Sequence, residues 1–191
     1  MTLTFLKTLN SMPHDLSAPR GLTVLFIGDG KGKTTAALGM LLRAHGQGLK
    51  VGALQFSKTP RRIYGEALAC MRLNIHYQSL GNNFTWDKSK REKSRRIALL
   101  AWMDAQRWIK EKTYDMLLLD EMTYLFDYNW LDAEDTAAWL GRNKPPATHL
   151  IITGRRAPEE LIELADLVTE MKEVKHPFRE RGLLAQVGIE Y

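Results

Sequence analysis

A doubly wound α/β domain on a mostly parallel sheet is the architecture to expect of this chain, for three reasons. Short apolar runs alternate with helical stretches along almost the whole sequence, the first run ends in a glycine-rich string that opens a helix, and a later run ends in a pair of acids. The length of 191 residues suits one domain with a sizeable core, because single domains commonly run to ~100–200 residues.

The elements follow in order. Residues 1–20 mix short apolar pieces with Pro13 and Pro19 and hold no sustained period, so they are expected to form an arm or lid on a domain spanning 21–191. Leu22 to Ile27 is almost wholly apolar and stops at Gly28, as a strand buried on both faces does. Thr34 to Arg43 is rich in alanine and leucine and reads as a helix stopped by Gly46 and Gly48. Val51 to Phe56 reads as a strand, residues around Ile63 to Met71 as a helix, and Leu73 to Leu80 as a further strand.

Lys88 to Lys112 reads as a long helix with an apolar stripe at Ile97, Leu100, Ala101 and Trp108, interrupted by Asp104. Met116 to Leu119 is the clearest central strand, and it runs into Asp120-Glu121. A helix at Asp132 to Leu140, a strand at His149 to Thr153, a helix at Pro158 to Ala165 and late strands at Leu167 to Glu170 and Leu184 to Ile189 complete the alternation. In such sheets ligands bind at the carboxyl ends of the strands.

Composition excludes several classes. Lys and Arg total 27 against 22 Asp and Glu, a formal charge of +5 that favours polyanions without specifying chemistry. The lone Cys70 forbids an intrachain disulfide and a thiolate-rich metal site, and fits a reducing compartment, the cytoplasm by default. No run of ~18 apolar residues occurs, so no membrane partner is expected. The basic first turns at Lys88 to Arg96 read as a solvated helix face rather than a nucleic-acid surface. The five histidines, His14, His45, His76, His149 and His176, have no metal-binding or triad-like spacing, and no serine or cysteine nucleophile motif is present. The hard chemistry is then expected to reside in a bound cofactor.

Gly28-Asp29-Gly30-Lys31-Gly32-Lys33-Thr34-Thr35 joins the first strand to the first helix, and that context makes it a phosphate-binding candidate. Its glycines let successive N–H groups converge on a polyanion, Lys33 adds a mobile full charge, and the Thr34 hydroxyl is placed to meet a magnesium ion. The usual pattern has four residues between its first glycine and the Gly-Lys pair, but counting back from Gly32 reaches Ile27, so this loop is one residue short. A tighter loop shifts each phosphate, and the terminal phosphorus need not be the reacting atom. Asp120 and Glu121 supply the second half of a magnesium site, with Glu121 the better candidate for direct ligation, although sequence does not order the two.

Gly28 to Thr35, Phe84-Thr85-Trp86 after Gly81, Leu118 to Glu121, Ile151 to Arg155, Ala165 to Met171, Lys175-His176 with Phe178, and Ala185-Gln186 before Gly188-Ile189-Glu190 stand in one order along the chain from about residue 22 onward. Together these strings resemble the P-loop ATP:corrinoid adenosyltransferases. The resemblance implies a P-loop NTPase-like, RecA-like fold and transfer of the 5′-deoxyadenosyl group of ATP to cobalt(I) of a corrinoid, with release of triphosphate. It implies that ATP lies reversed relative to other P-loop proteins, and that Phe84 and Trp86 crowd the lower corrinoid face and leave cobalt(II) four-coordinate and easier to reduce. A reductase or flavoprotein as electron donor and a homodimer are further implications. Arg155 and Arg43 are weaker candidates for nucleotide or subunit contacts.

The chain departs from the family pattern at Gly81-Asn82-Asn83, at Phe56-Ser57-Lys58-Thr59-Pro60 and at the basic Arg179-Glu180-Arg181-Gly182. The competing reading is an ordinary P-loop ATPase or phosphotransferase, which would release ADP or phosphate.

Overall fold

The computed structural model of the chain describes residues 20–59, 64–81 and 88–190. Among them six strands form one sheet: β1 (Thr23–Ile27), β2 (Val51–Gln55), β3 (His76–Ser79), β4 (Met116–Asp120), β5 (His149–Thr153) and β6 (Leu167–Glu170). The spatial order is β3-β2-β4-β5-β1-β6, and every pairing is parallel. The helices are α1 (Lys33–Gly46), α2 (Gly65–Arg72), α3 (Lys88–Lys110), α4 (Tyr124–Asp127), α5 (Ala133–Asn143), α6 (Glu159–Leu164) and α7 (Pro177–Arg181).

Side chains that alternate along β1, β2, β4 and β5 feed two separate apolar cores. Leu25, Leu54, Leu117, Leu119, Leu150 and Ile152 enter the larger one, with Ala101, Trp102 and Trp108 of α3, Leu125 of α4, Leu140 of α5 and Leu161 of α6. Val24, Phe26, Ala53, Leu118 and Ile151 enter the other, with Ala37 and Leu41 of α1 and Cys70 of α2. A sheet buried on both faces needs apolar residues at every position, which is why the central strands read as continuous runs. Each fully buried leucine contributes about 1.5–3 kcal/mol of burial free energy, so the central strands, with Leu25, Leu54, Leu117, Leu118, Leu119 and Leu150 fully buried, are strongly anchored.

Three expectations are corrected. On α3 the inward face is Ser94, Ala98, Ala101, Trp102, Ala105, Trp108 and Ile109, whereas Leu100 is 52% exposed. Alanines let the helix lie close to the sheet and the two tryptophans fill the remaining depth, so size complementarity overrules the bulk of Leu100. Residues 184–189 do not form a strand: Ile189 and Glu190 N–H groups both donate to the Gln186 carbonyl in a turn, and Gly188 has φ +79°. Among the described residues no strand pairs with this segment, and its apolar residues Leu184, Val187 and Ile189 are all exposed. Finally, α1 runs through Gly46, and Gly48 in the left-handed region makes the stop. The short helices α4 and α7 carried no periodic signal in sequence. Residues 1–19, and with them most of the expected arm, lie outside the described residues.

Candidate functional site

The site is assembled where β1, β4 and β5 end. Gly28 leaves β1 with φ +107°, and its N–H donates to the Arg155 carbonyl at 2.8 Å. A Cβ on Gly28 would stand 2.3 Å from the Met171 carbonyl oxygen, so the chain following β6 presses directly on the loop and only glycine fits. The Gly30 N–H donates to that same carbonyl at 2.7 Å. Gly32, at φ +110°, is the N-cap of α1 and offers no side chain to cap it, leaving first-turn amides for an anion. The Lys33 ammonium donates to the Gly28 and Gly30 carbonyls at 2.7 and 2.6 Å, bracing the short loop from inside. Burial lowers the Lys33 pKa and the Arg155 charge lowers it further, a bias that a polyanion would reverse.

Opposite the loop, Asp120 is fully buried. Its Oδ1 accepts from the Thr34 hydroxyl at 2.9 Å and the Thr153 hydroxyl at 2.6 Å. The Thr153 hydroxyl also accepts the Glu121 N–H at 2.8 Å, and Glu121 sits in the left-handed region at φ +59°. For a residue with a side chain this backbone is unfavourable, and it persists because the surrounding hydrogen bonds determine it.

Burial raises the pKa of both carboxyls. For Glu121 the adjacent Asp120 charge raises it further, while hydrogen bonds from Thr153 and Thr34 pull Asp120 the other way. A pair of desolvated acids beside a hydroxyl is a setting that a cation stabilises. Among the described residues no group of three or more His, Cys, Asp or Glu is gathered as a metal cluster, so a cation beside Thr34 and Glu121 would need phosphate oxygens and water to fill its shell.

Three cavities flank this core and share walls. One of about 470 Å³ is lined by Lys31, Lys33, Thr34, Thr35, Lys58 and Glu121 among others. A second, of about 370 Å³, takes in Asp29, Gly30, Lys33, Glu121, Tyr124 and Arg155. The third, about 410 Å³, continues past Asp29, Tyr124 and Arg155 to Arg91 and Tyr128. The crevice therefore runs across the phosphate loop from a strongly polar end to one lined by aromatic rings and guanidinium groups.

The structure thus brings Gly28, Asp29, Gly30, Lys31, Gly32, Lys33, Thr34, Thr35, Asp120, Glu121 and Arg155 to one crevice. Arg43 stands exposed in the last turn of α1, about 15 Å along the helix from Lys33, away from the loop. Phe84 and Trp86 lie outside the described residues.

Sequence reasoning missed four residues. Gln55 donates to Asp120 and Glu121. Thr153 links the two acids. Lys58 pairs with Glu66: burial works against its charge, yet the pairing outweighs burial and raises its pKa. Glu190 forms a 2.6 Å ion pair with Lys31 of the loop. Thr153 and Glu190 stood inside strings that carry the resemblance and Lys58 inside a departure from it, but no spacing in the sequence pointed to these contacts.

A family model described as ATP:corrinoid adenosyltransferase BtuR/CobO/CobP matches residues 19–191. The corrinoid adenosyltransferase of Escherichia coli strain K12 is 40% identical over 172 residues, covering 90% of this chain and 86% of that one. A corrinoid adenosyltransferase from Sinorhizobium sp. is 37% identical over 174 residues, covering 90% and 81%. Corrinoid adenosyltransferase CobA of Salmonella typhimurium is 37% identical over 172 residues, covering 90% and 86%. Among solved structures, the flagellar accessory protein FlaH from Methanocaldococcus jannaschii superposes with a TM-score of 0.55 at 11% identity, covering 80% of this chain and 71% of that one, a likeness of fold alone.

Proposed function

The chain belongs to the ATP:corrinoid adenosyltransferase family, and from that premise we propose how its residues divide the work. The chain adenosylates corrinoids with ATP, moving the 5′-deoxyadenosyl group to cobalt(I) and releasing triphosphate. The cobalt(I) electron pair forms the Co–C5′ bond, the C5′–O bond breaks with its pair leaving on triphosphate, and cobalt becomes formally cobalt(III). No protein acid or base is required. The chain's own tasks are alignment, neutralisation of the leaving polyanion and exclusion of water.

The observation that carries this division is the short loop braced by Lys33 with Thr34 hydrogen-bonded to Asp120. The Gly28 to Thr35 loop, with Lys31 and Lys33, grips the triphosphate, and ATP lies with its sugar carbon pointing out of the loop toward the corrinoid. Mg2+, held by Thr34 and Glu121 with Asp120 behind them, would neutralise triphosphate charge. Arg155 and Asp29, at the wall between the polar and aromatic cavities, flank the ribose end. Phe84 and Trp86 press on the lower corrinoid face and favour four-coordinate cobalt(II). Supporting that placement, α3 starts two residues after Trp86, and its Arg91 lines the aromatic end of the crevice.

The working assembly is a cytoplasmic homodimer whose residues 1–20 close over the crevice, served by a reductase or flavoprotein and with neither nucleic acid nor membrane as partner. Among the described residues no helix is long and apolar enough to cross a membrane.

The test is a pair of measurements. With ATP and Mg2+, added cob(II)alamin should give the spectrum of four-coordinate cobalt. Phe84→Ala and Trp86→Ala should lose more turnover from cobalt(II) than from prereduced cobalt(I). Equal losses from both states, with no four-coordinate spectrum in the parent protein, would contradict the aromatic role.

A further inference from the structure

Gln55 ends β2 with no exposed surface, on a strand that flanks β4. Its amide is locked by its own partners. Oε1 accepts from the backbone N–H groups of Ser57 at 2.7 Å and Lys58 at 2.6 Å. Both partners are pure donors, so the oxygen cannot exchange places with Nε2. Nε2 is thereby aimed at the acids, donating to Glu121 Oε2 at 2.9 Å and to Asp120 Oδ2 at 3.3 Å, with Ser57 Oγ at 3.2 Å as a third acceptor. A flipped amide would set its oxygen against two carboxylates and its hydrogens against two N–H groups. One neutral group therefore bridges the buried Asp120 and the half-buried Glu121 and fixes the direction of the one that lines the phosphate cavity.

We propose that Gln55 is a positioning residue for the cation site: it holds the Glu121 carboxylate at the cavity wall shared with Thr34, in place for a divalent ion that rides in with the nucleotide triphosphate. This rests on the reading of Thr34 and Glu121 as the Mg2+ site. Groups that orient ligating carboxylates typically change metal affinity by 10–100-fold when removed. Gln55 touches neither nucleotide nor corrinoid in this assignment, so its effect is read through the metal.

The test uses the full chain with ATP as the bound nucleotide. Thermal midpoints are measured with ATP plus chelator and again with ATP plus excess Mg2+, and Mn2+ binding in the presence of ATP is followed by electron paramagnetic resonance. Gln55→Met keeps length and loses the donor: its metal-dependent gain in midpoint should shrink below half that of the parent, and Mn2+ should bind about tenfold more weakly. Gln55→Glu keeps the contact to the two N–H groups and adds a negative charge facing the acids: its metal-dependent gain should exceed that of the parent, because the cation relieves the added repulsion. Opposite changes in the two variants are not what a packing residue gives. Parent-like gains in both variants, or in Gln55→Glu alone if Gln55→Met does not fold, would overturn the role of Gln55 while leaving the Mg2+ site standing. A parent protein whose midpoint and Mn2+ signal do not respond to metal would overturn both.

Discussion

Thr153 shows how much one side chain organises here. Its hydroxyl donates to Asp120 and accepts from the Glu121 amide, so it couples a buried charge to an unfavourable backbone. Thr153→Val keeps the shape and strands both partners, and should lower stability in urea unfolding by about 1–3 kcal/mol; an unchanged midpoint would contradict the account. Lys33 is the complementary case. Its ammonium is held by loop carbonyls that a triphosphate would replace. Lys33→Ala should reduce adenosylation from prereduced cobalt(I) by at least about 100-fold, the scale of removing one donor to developing negative charge. Near-normal turnover with cobalt(I) would remove Lys33 from leaving-group stabilisation. Lys33, Thr34 and the acid pair were legible because a glycine string after a strand, and acids ending an apolar strand, have few other physical uses. Gln55 was not legible, since a glutamine at a strand end has no pattern until the neighbouring strand sets acids beside it.

Among the elements, the central strands were readable and the long helix was readable only in extent. A strand buried on both faces must be apolar at each position, so β1, β4 and β5 announce themselves. On α3 the periodic stripe is shared by leucine and alanine, and which face turns inward depends on the depth left between helix and sheet. Leu100 lies outward at 52% exposure beside Ala101 at 0%. Leu100→Lys should therefore change stability by no more than about 0.5 kcal/mol, and Ala101→Lys should unfold the chain or cost several times that, read by denaturant midpoint. A reversed order would restore the stripe expected from sequence. The segment 184–189 failed as a strand for a related reason: an apolar run forms a strand only where another edge receives it, and here the segment turns back so that Glu190 reaches Lys31.

At the scale of the whole molecule, the sheet order carries the function: β5 stands between the loop-bearing β1 and the acid-bearing β4, and the hydrogen bond from Thr34 to Asp120 closes the gap across it. The opposite end of the sheet sets part of the acid response. His149 accepts the Leu22 N–H, and burial followed by the Lys144 charge lowers its pKa from 6.5. Between the folded and unfolded pKa values the unfolded chain binds the extra proton, so this contribution is complete above pH 6.5 and is lost as pH falls below it. Urea midpoints at pH 7.5 and 5.5 should drop less in His149→Gln than in the parent, and an equal drop would contradict that assignment. The central claim is that the loop holds a departing triphosphate and leaves the sugar carbon to the metal of the corrinoid. The most direct measurement is phosphorus-31 resonance of the products when enzyme, ATP, Mg2+ and chemically reduced corrinoid react, set against the cobalt–carbon bonds formed. Intact triphosphate in equal amount to adenosylated corrinoid is the predicted result; ADP and orthophosphate without cobalt alkylation would contradict it.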